Sequence, residues 1–316
     1  MTAVDLLTQG LEIAAAVLGA PLFVGWINQC RAWLQNKSAP SILQPYRMIR
    51  KLFLKDAVLA HDASPLFRMA PYVVFGTMAL AAAVIPSMGM RLPFTVAADA
   101  IALVGLLATA RVFMALAAMD IGTAFGTLGA RREMMIGFLA EPALLMVILV
   151  ASLISTTTSL AGISEFTTSQ ALGIYPSLAF TAVAFTMVLL AENARIPVDN
   201  PATHLELTMI HEAMLLEYSA RHLALMEWAA ALKLFNYACI GFALFAPWGL
   251  ASGGAGPAAL ALAVPLLAAK LAAAGAGLAL IETVSAKLRV FRAPEFLATA
   301  FLFAVLGMLV RLLLGT

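Results

Sequence analysis

Eight long, predominantly apolar stretches constrain this chain more than any other feature, because about 20 apolar residues are what a helix needs to cross a bilayer. They lie near 8–28, 69–89, 96–118, 134–156, 171–191, 228–250, 256–282 and 296–315 of the 316 residues. Composition agrees: 63% of the chain is hydrophobic and 11% charged, against about 25% charged in soluble domains. So few charges cannot build a water-facing surface, and the same figures exclude disorder. The runs are continuous rather than alternating, which argues against an outer-membrane barrel. The expected fold is all-α, a polytopic integral membrane protein with about eight transmembrane helices. It forms a single membrane domain over 1–316, with amphipathic helices in its cytoplasmic loops. No basic domain supports nucleic-acid binding. The opening MTAVDLLTQG lacks the basic n-region of a secretory signal.

The distribution of charge orients the spans. Fourteen of the 19 Lys and Arg residues fall in the loops after spans 1, 3, 5 and 7. Positive loops stay cytoplasmic, so both termini are expected on the outer side. Loop 1, residues 29–68, is long and basic. Its stretch SILQPYRMIRKLFLKD places Ile42, Tyr46, Ile49 and Phe53 near helical spacing. That pattern suits an interfacial helix on anionic lipid, and equally a docking surface through Arg47, Arg50 and Lys51 for a cytoplasmic partner. Arg131 and Arg132 in loop 3 and Arg195 in loop 5 extend that surface.

Loop 5, residues 192–227, holds Glu192, Asp199, Glu206, Glu212, Glu217 and Glu227, with His204, His211 and His222. Pro197 and Pro201 impose a turn-rich start. A helix is expected after them, with Glu206, Ile210, Glu217 and Arg221 at helical spacings along it. The acids alternate with Leu207, Met209, Met214 and Leu216, as in a segment packed onto a membrane domain. No HExxH zinc motif is present, since His211-Glu212 runs on into Ala213, Met214 and Leu215. Histidines in this setting serve hydrogen bonding or proton exchange, and no metal site is expected.

Ionisable residues inside spans are costly and are functional candidates. Glu141 precedes Pro142 in span 4, roughly 12 Å from the cytoplasmic end, and Arg111 lies at a similar depth in span 3. The two are expected to share a buried polar network, which Lys270 in span 7, with Glu282 at the inner end of the same helix, would extend. Asp120 and Glu133, flanking loop 3, fit either this network or solvated helix ends. Burial raises a carboxylate's proton affinity and a nearby cation lowers it. The expected proton path is therefore Glu141, Glu192, Asp199, Glu206, Glu212 and Glu217, with Arg111, Lys270 and Asp120.

The stretch ENARIPVDNPATHLELTMIHEAMLLEYS resembles the signature of the complex I subunit 1 family. It is most similar to the branch found in formate hydrogenlyase and hydrogenase-4 type membrane-bound [NiFe] hydrogenases. PSILQPYRMIRKLFLKD, GARREMMIGFLAEPALL and LIETVSAKLRVFRAPEFL agree, so the resemblance covers nearly the whole chain. The family motif runs roughly E-x-x-R-x-P-F-D-L-P-E-A-E-x-E-L and ends in E-Y-S. Glu192, Arg195, Pro197, Asp199, Pro201, Glu206 and Glu217-Tyr218-Ser219 match it, and Glu141 matches the family's intramembrane Glu. Two family acids are replaced by Ala202 and His204. Three extra residues stand between Leu207 and Glu217. These departures favour the hydrogenase branch over quinone binding.

The resemblance implies an anchoring and proton-coupling subunit of a multisubunit [NiFe] hydrogenase complex in the bacterial inner membrane, connecting the peripheral redox arm to the membrane arm. The implied partners are [NiFe] hydrogenase large and small subunits, iron–sulfur subunits and antiporter-like membrane subunits, besides the bilayer. Cys30 and Cys239 are too few for an iron–sulfur cluster, which takes four cysteines. No cofactor is expected in this chain; the [NiFe] centre and the clusters belong to partners. Three alternatives stand beside this reading: a subunit 1 of a proton-pumping NADH-quinone oxidoreductase, a free-standing ion transporter, and an anchor that moves no ion.

Overall fold

The computed structural model describes residues 3–90, 93–94, 99–169, 176–199, 209–251, 257–289 and 292–314. These residues form eleven helices and no strand. The long ones are α1 (Ala3–Leu34), α3 (Pro65–Val84), α4 (Ala100–Asp120), α5 (Ala124–Ser155), α9 (Ala220–Phe245), α10 (Pro257–Val284) and α11 (Ala293–Leu314). All seven are long and apolar enough to cross a membrane, and α7 (Pro176–Glu192) is a shorter apolar helix. They coincide with the eight apolar runs. Between them lie α2 (Gln44–Phe53), α6 (Leu160–Ser169) and the single turn α8 (His211–Leu215).

Local chemistry sets several boundaries. Ser64 caps α3 by accepting from the Leu66 N–H at 3.1 Å, with Pro65 in the first turn. Thr123 caps α5 through the Gly126 N–H at 3.3 Å. Pro21, Pro71, Pro142 and Pro265 lie inside long helices, a placement that packed membrane helices tolerate.

Three boundaries depart from the sequence reading. Helix α5 starts at Ala124 rather than near 134, so Glu133, Arg131 and Arg132 lie on a helix rather than in a loop. Helix α9 starts at Ala220, so the last residues of loop 5 belong to a span. The continuous helix expected through 206–221 is absent over its described part: α8 stops at Leu215, and Ala220 has a φ of +48°. The reason is tertiary. Ser219 Oγ accepts from the Val58 N–H at 2.9 Å and donates to the Val58 carbonyl at 2.6 Å. Tyr218 stacks on Phe67 with ring centroids 4.1 Å apart, and its hydroxyl donates to the Phe67 carbonyl. Burial, with Asp120 nearby, pushes the Tyr218 hydroxyl's pKa up. Loop 1 thus holds the chain open between α8 and α9.

The long helices pack in sequence of contact: α10 on α1, α1 on α9, α9 on α3, α3 on α4, α4 on α5, and α5 on both α7 and α11. Helix α2 lies against α9 and α1. Its apolar side buries Ile49 and sets Phe53 edge-on to Trp228, while Ile42 precedes the helix. At the opposite end of the bundle, backbone bonds from Met90 N to Ala251 O (3.0 Å) and Ala251 N to Met88 O (2.7 Å) join two loops.

Candidate functional site

Arg111 is the centre of the buried charge. It projects from α4 and is 4% exposed. Its Nη1 donates to Glu141 Oε1 at 2.6 Å, its Nε lies 3.5 Å from Glu133 Oε1, and its Nη2 contacts Glu192 Oε2. Glu133 and Glu141 are eight residues apart on α5, two turns along one face. The residue between them on that face is Gly137. A Cβ at Gly137 would run into the Arg111 guanidinium, so the glycine makes the groove in which the cation lies. Glu192, at the end of α7, is also met by Lys233 Nζ of α9 at 3.0 Å. Four helices therefore bring two cations and three carboxylates together. The expected Arg111–Glu141 pair is present, and Glu133 joins it rather than being solvated.

A cavity of about 310 Å³ adjoins this cluster. It opens between α1, α2, α9 and the segment after α7, and Glu192 and Lys233 line it as well as contacting the cluster. The segment 193–199 winds back on itself through the Arg195 N–H to the Leu190 carbonyl (2.8 Å) and the Val198 N–H to the Arg195 carbonyl (2.9 Å). This is the turn-rich start expected from Pro197, whose bond to Ile196 is cis; Pro201 lies outside the described residues. The turns aim Arg195 and Asp199 inward. Glu282 of α10 pairs with Arg195 at 3.2 Å and with Arg31 of α1 at 3.4 Å. Asp199 pairs with Lys287 at 3.3 Å and accepts from the His211 N–H at 3.4 Å. Glu212 and Glu227 complete the acidic lining.

Not every candidate gathers here. Lys270 does not extend the Arg111 network: it lies 12 residues from Glu282, about 18 Å along α10, and donates to the Ala246 carbonyl at 2.6 Å near the other end of the bundle. Asp120 lies outside the cluster and accepts from the Ser64 N–H at 3.0 Å, tying α4 to α3. Glu217 is half-buried in the turn between α8 and α9, and it does not line the cavity. Glu206 and His204 lie outside the described residues, and His222 is buried edge-on to Tyr72. Of the docking candidates, Arg47, Arg50, Lys51 and Arg131 are exposed. Arg132 donates to the Met209 carbonyl at 2.8 Å. Arg195 is buried against Glu282, so its charge serves the inside of the chain and not a docking surface.

Sequence reasoning missed Lys233, the cation that shares Glu192 with Arg111, and Arg31, which it counted only as loop charge. The one available signal for Lys233 was a lysine inside an apolar run. Cys30 and Cys239 are both free and buried. They sit toward opposite ends of the bundle, on α1 beside Arg31 and on α9 beyond Lys233.

Comparisons with known proteins agree on one group. The family described as NADH dehydrogenase matches residues 9–313. Formate hydrogenlyase subunit 4 of Escherichia coli (strain K12) is 33% identical over 293 residues, 91% of this chain and 92% of that protein. Hydrogenase-4 component C of the same organism is 36% identical over 235 residues, covering 73% and 72%. Among solved structures, a chain of the membrane-bound sulfane sulfur reductase, an archaeal respiratory membrane complex, has the same fold. It superposes with a TM-score of 0.78 over 96% of this chain and 98% of its own length, at 21% identity.

Proposed function

Because the chain belongs to the NADH dehydrogenase family, in its subunit 1 type, we propose that it anchors the peripheral redox arm of a multisubunit [NiFe] hydrogenase complex and couples that arm to proton movement. The complex is of formate hydrogenlyase or hydrogenase-4 type, after the relatives matched over most of their length. The chain is a membrane subunit without redox centres of its own. Its two cysteines cannot form a cluster set, so electrons stay on the [NiFe] centre and iron–sulfur clusters of its partners. The basic cavity end faces the cytoplasm of a bacterial inner membrane, with both termini outside. Arg47, Arg50, Lys51 and Arg131 offer that end to the arm.

The observation that carries the coupling role is the double placement of Glu192. It lines the cavity beside the docking surface, and it contacts the Arg111 cluster inside the bundle. Fully ionised, Arg111 and Lys233 against Glu133, Glu141 and Glu192 carry one excess negative charge. A single proton neutralises the set, and in a low-dielectric interior neutrality is strongly favoured. With the neutralising proton resident on Glu141, a proton arriving at Glu192 loosens its hold on Arg111, which shifts onto Glu141 and displaces the resident proton on the bundle's flank, where the Glu141 side chain keeps 34% exposure. Entry and exit thus lie on different sides of one cation. In a quinone-reducing subunit 1, the second reading, the same cavity would hold a quinone head group; the cavity's size favours that reading, whereas Ala202 and His204 count against it.

A pull-down of the tagged chain in mild detergent, with mass spectrometry and a hydrogen-evolution assay, tests the assignment. A nickel-containing large subunit and hydrogen evolution are expected in the eluate. A flavin subunit with quinone-reductase activity moves the chain to the second reading. A chain that purifies alone and intact overturns both. Within the complex, Glu192→Gln and Glu141→Gln keep the shapes and remove the charge. Each is expected to slow coupled turnover at least about tenfold, about 1.4 kcal/mol of barrier, while the arm still co-purifies. Unchanged proton movement in both leaves only the anchoring role.

A further inference from the structure

Glu12 is a fully buried carboxylate that the Arg111 cluster and the cavity do not use. It is 0% exposed, on the first long helix. Counted along α1 it stands about 28 Å from Arg31, and so at the opposite end of the bundle from the cavity. Its Oε1 accepts from the Met88 N–H at 2.6 Å and the Gly89 N–H at 2.8 Å. Its Oε2 is buried and has no hydrogen-bond partner among the described residues. No cation lies within ion-pair distance of it among the described residues. One turn earlier, Gln9 performs a comparable binding task with an amide: Nε2 donates to the Ala83 carbonyl at 2.9 Å, and Oε1 accepts from the Phe94 N–H at 3.2 Å.

The contrast between these neighbours is informative. A glutamine at position 12 would accept the same two backbone N–H groups through its carbonyl oxygen. A carboxyl adds only the second oxygen, which makes no hydrogen bond within normal geometry and is shielded from water, with Ser87 beside the group. The groups around Oε1 are donors, the wrong polarity for a metal cation. What a second, bare carboxyl oxygen takes up in such a place is a proton.

A route for that proton is at hand. The loop that holds Glu12 also borders a cavity of about 10 Å³, large enough for about one water. Ser87, Cys239 and Lys270 line it, and Cys239 lies within electrostatic reach of both Glu12 and Lys270. Among the described residues, the groups nearest Glu12 are Gln9 on its own helix, Ser87 to Gly89 in the loop after α3 and Cys239 on α9, with Lys270 of α10 beyond Cys239 on the cavity wall. We propose that Glu12 is a second proton-binding site of this chain, exchanging its proton through the one-water cavity that Ser87, Cys239 and Lys270 border. The Lys270 ammonium steadies the charge that Glu12 acquires when the proton leaves. Glu12 lies apart from the Arg111 cluster, so its protonation stands or falls independently of the hydrogenase assignment.

Infrared difference spectroscopy on the purified complex in lipid nanodiscs tests this. At neutral pH the wild type is expected to show the carbonyl stretch of a protonated carboxylic acid that Glu12→Gln lacks, and that band is expected to move to lower wavenumber in D₂O. If Glu12→Gln fails to assemble, Glu12→Asp keeps the acid and is expected to shift the same band. Loss of carboxylate bands instead of an acid band, or an acid band that never shifts in D₂O, overturns the proposal. Lys270→Met is expected to slow the deuterium exchange of the band several-fold; exchange at the wild-type rate overturns the route through the cavity.

Discussion

Arg111 does its work through number and geometry. A guanidinium offers five donors in a plane, and here three carboxylates from two helices approach three of its nitrogens. Lysine, a compact point charge, cannot reach all three. Removing the cation leaves buried carboxylates without their counter-ion, a loss of about 3–5 kcal/mol. Arg111→Gln is therefore expected to lower the Tm of the detergent-solubilised complex by roughly 10 °C, and Arg111→Lys to recover only part of it. Differential scanning fluorimetry checks both, and a melting curve unchanged in Arg111→Gln would mean the cluster carries no stability. The pair Arg111–Glu141 is legible in the sequence because both residues sit at one depth in neighbouring spans. Glu133 is ambiguous there because the start of α5, ten residues earlier than the apolar run, decides whether it is inside. Lys233 and Glu12 are not legible, since which residue each faces depends on the register between helices far apart in sequence.

At the scale of elements, α2 and the two halves around Ser219 are placed by contacts the local sequence does not announce. The apolar spacing of loop 1 does give α2, and the two basic residues of its last turn, Arg50 and Lys51, complement the helix dipole. What seats α2 on the bundle is Gly25 in α1. A Cβ there would collide with the Ile42 carbonyl, and Tyr46 reaches from α2 to the Leu18 carbonyl. Gly25→Ala is expected to push α2 and its basic face outward while leaving the apolar spans folded. The ratio of peripheral to membrane subunits in a pull-down, read by quantitative mass spectrometry, should fall several-fold. An unchanged ratio would remove α2 from the docking surface. The break at Ser219 teaches the same point: acids at helical spacing through 206–221 read as one helix, but hydrogen bonds to Val58, 161 residues away, fix a turn instead.

Across the whole molecule, burial is uneven in a way that matches a subunit built to be flanked. The most apolar window of α9 is 67% buried, whereas those of α10 and α11, at the two ends of the packing order, are each 22% buried. Helix α5 is buried on its Arg111 side and open on the other, where Met134, Phe138 and Leu149 are exposed and Phe138 reaches 79%. Glu141 opens along this flank, one turn from Phe138. A carboxylate that passes protons onward needs a polar receiver there, and lipid offers none. The flank of α5 is therefore expected to be covered by another membrane subunit of the complex. Phe138→Cys, in a background of Cys30→Ser and Cys239→Ser, provides the test. In the intact complex it should crosslink to a membrane partner through a short bifunctional maleimide and resist a lipid-soluble one. In a complex stripped of its other membrane subunits the same cysteine should label readily. Ready labelling in both states, with no crosslinked partner, would leave Glu141 facing hydrocarbon and close the outlet the coupling role requires.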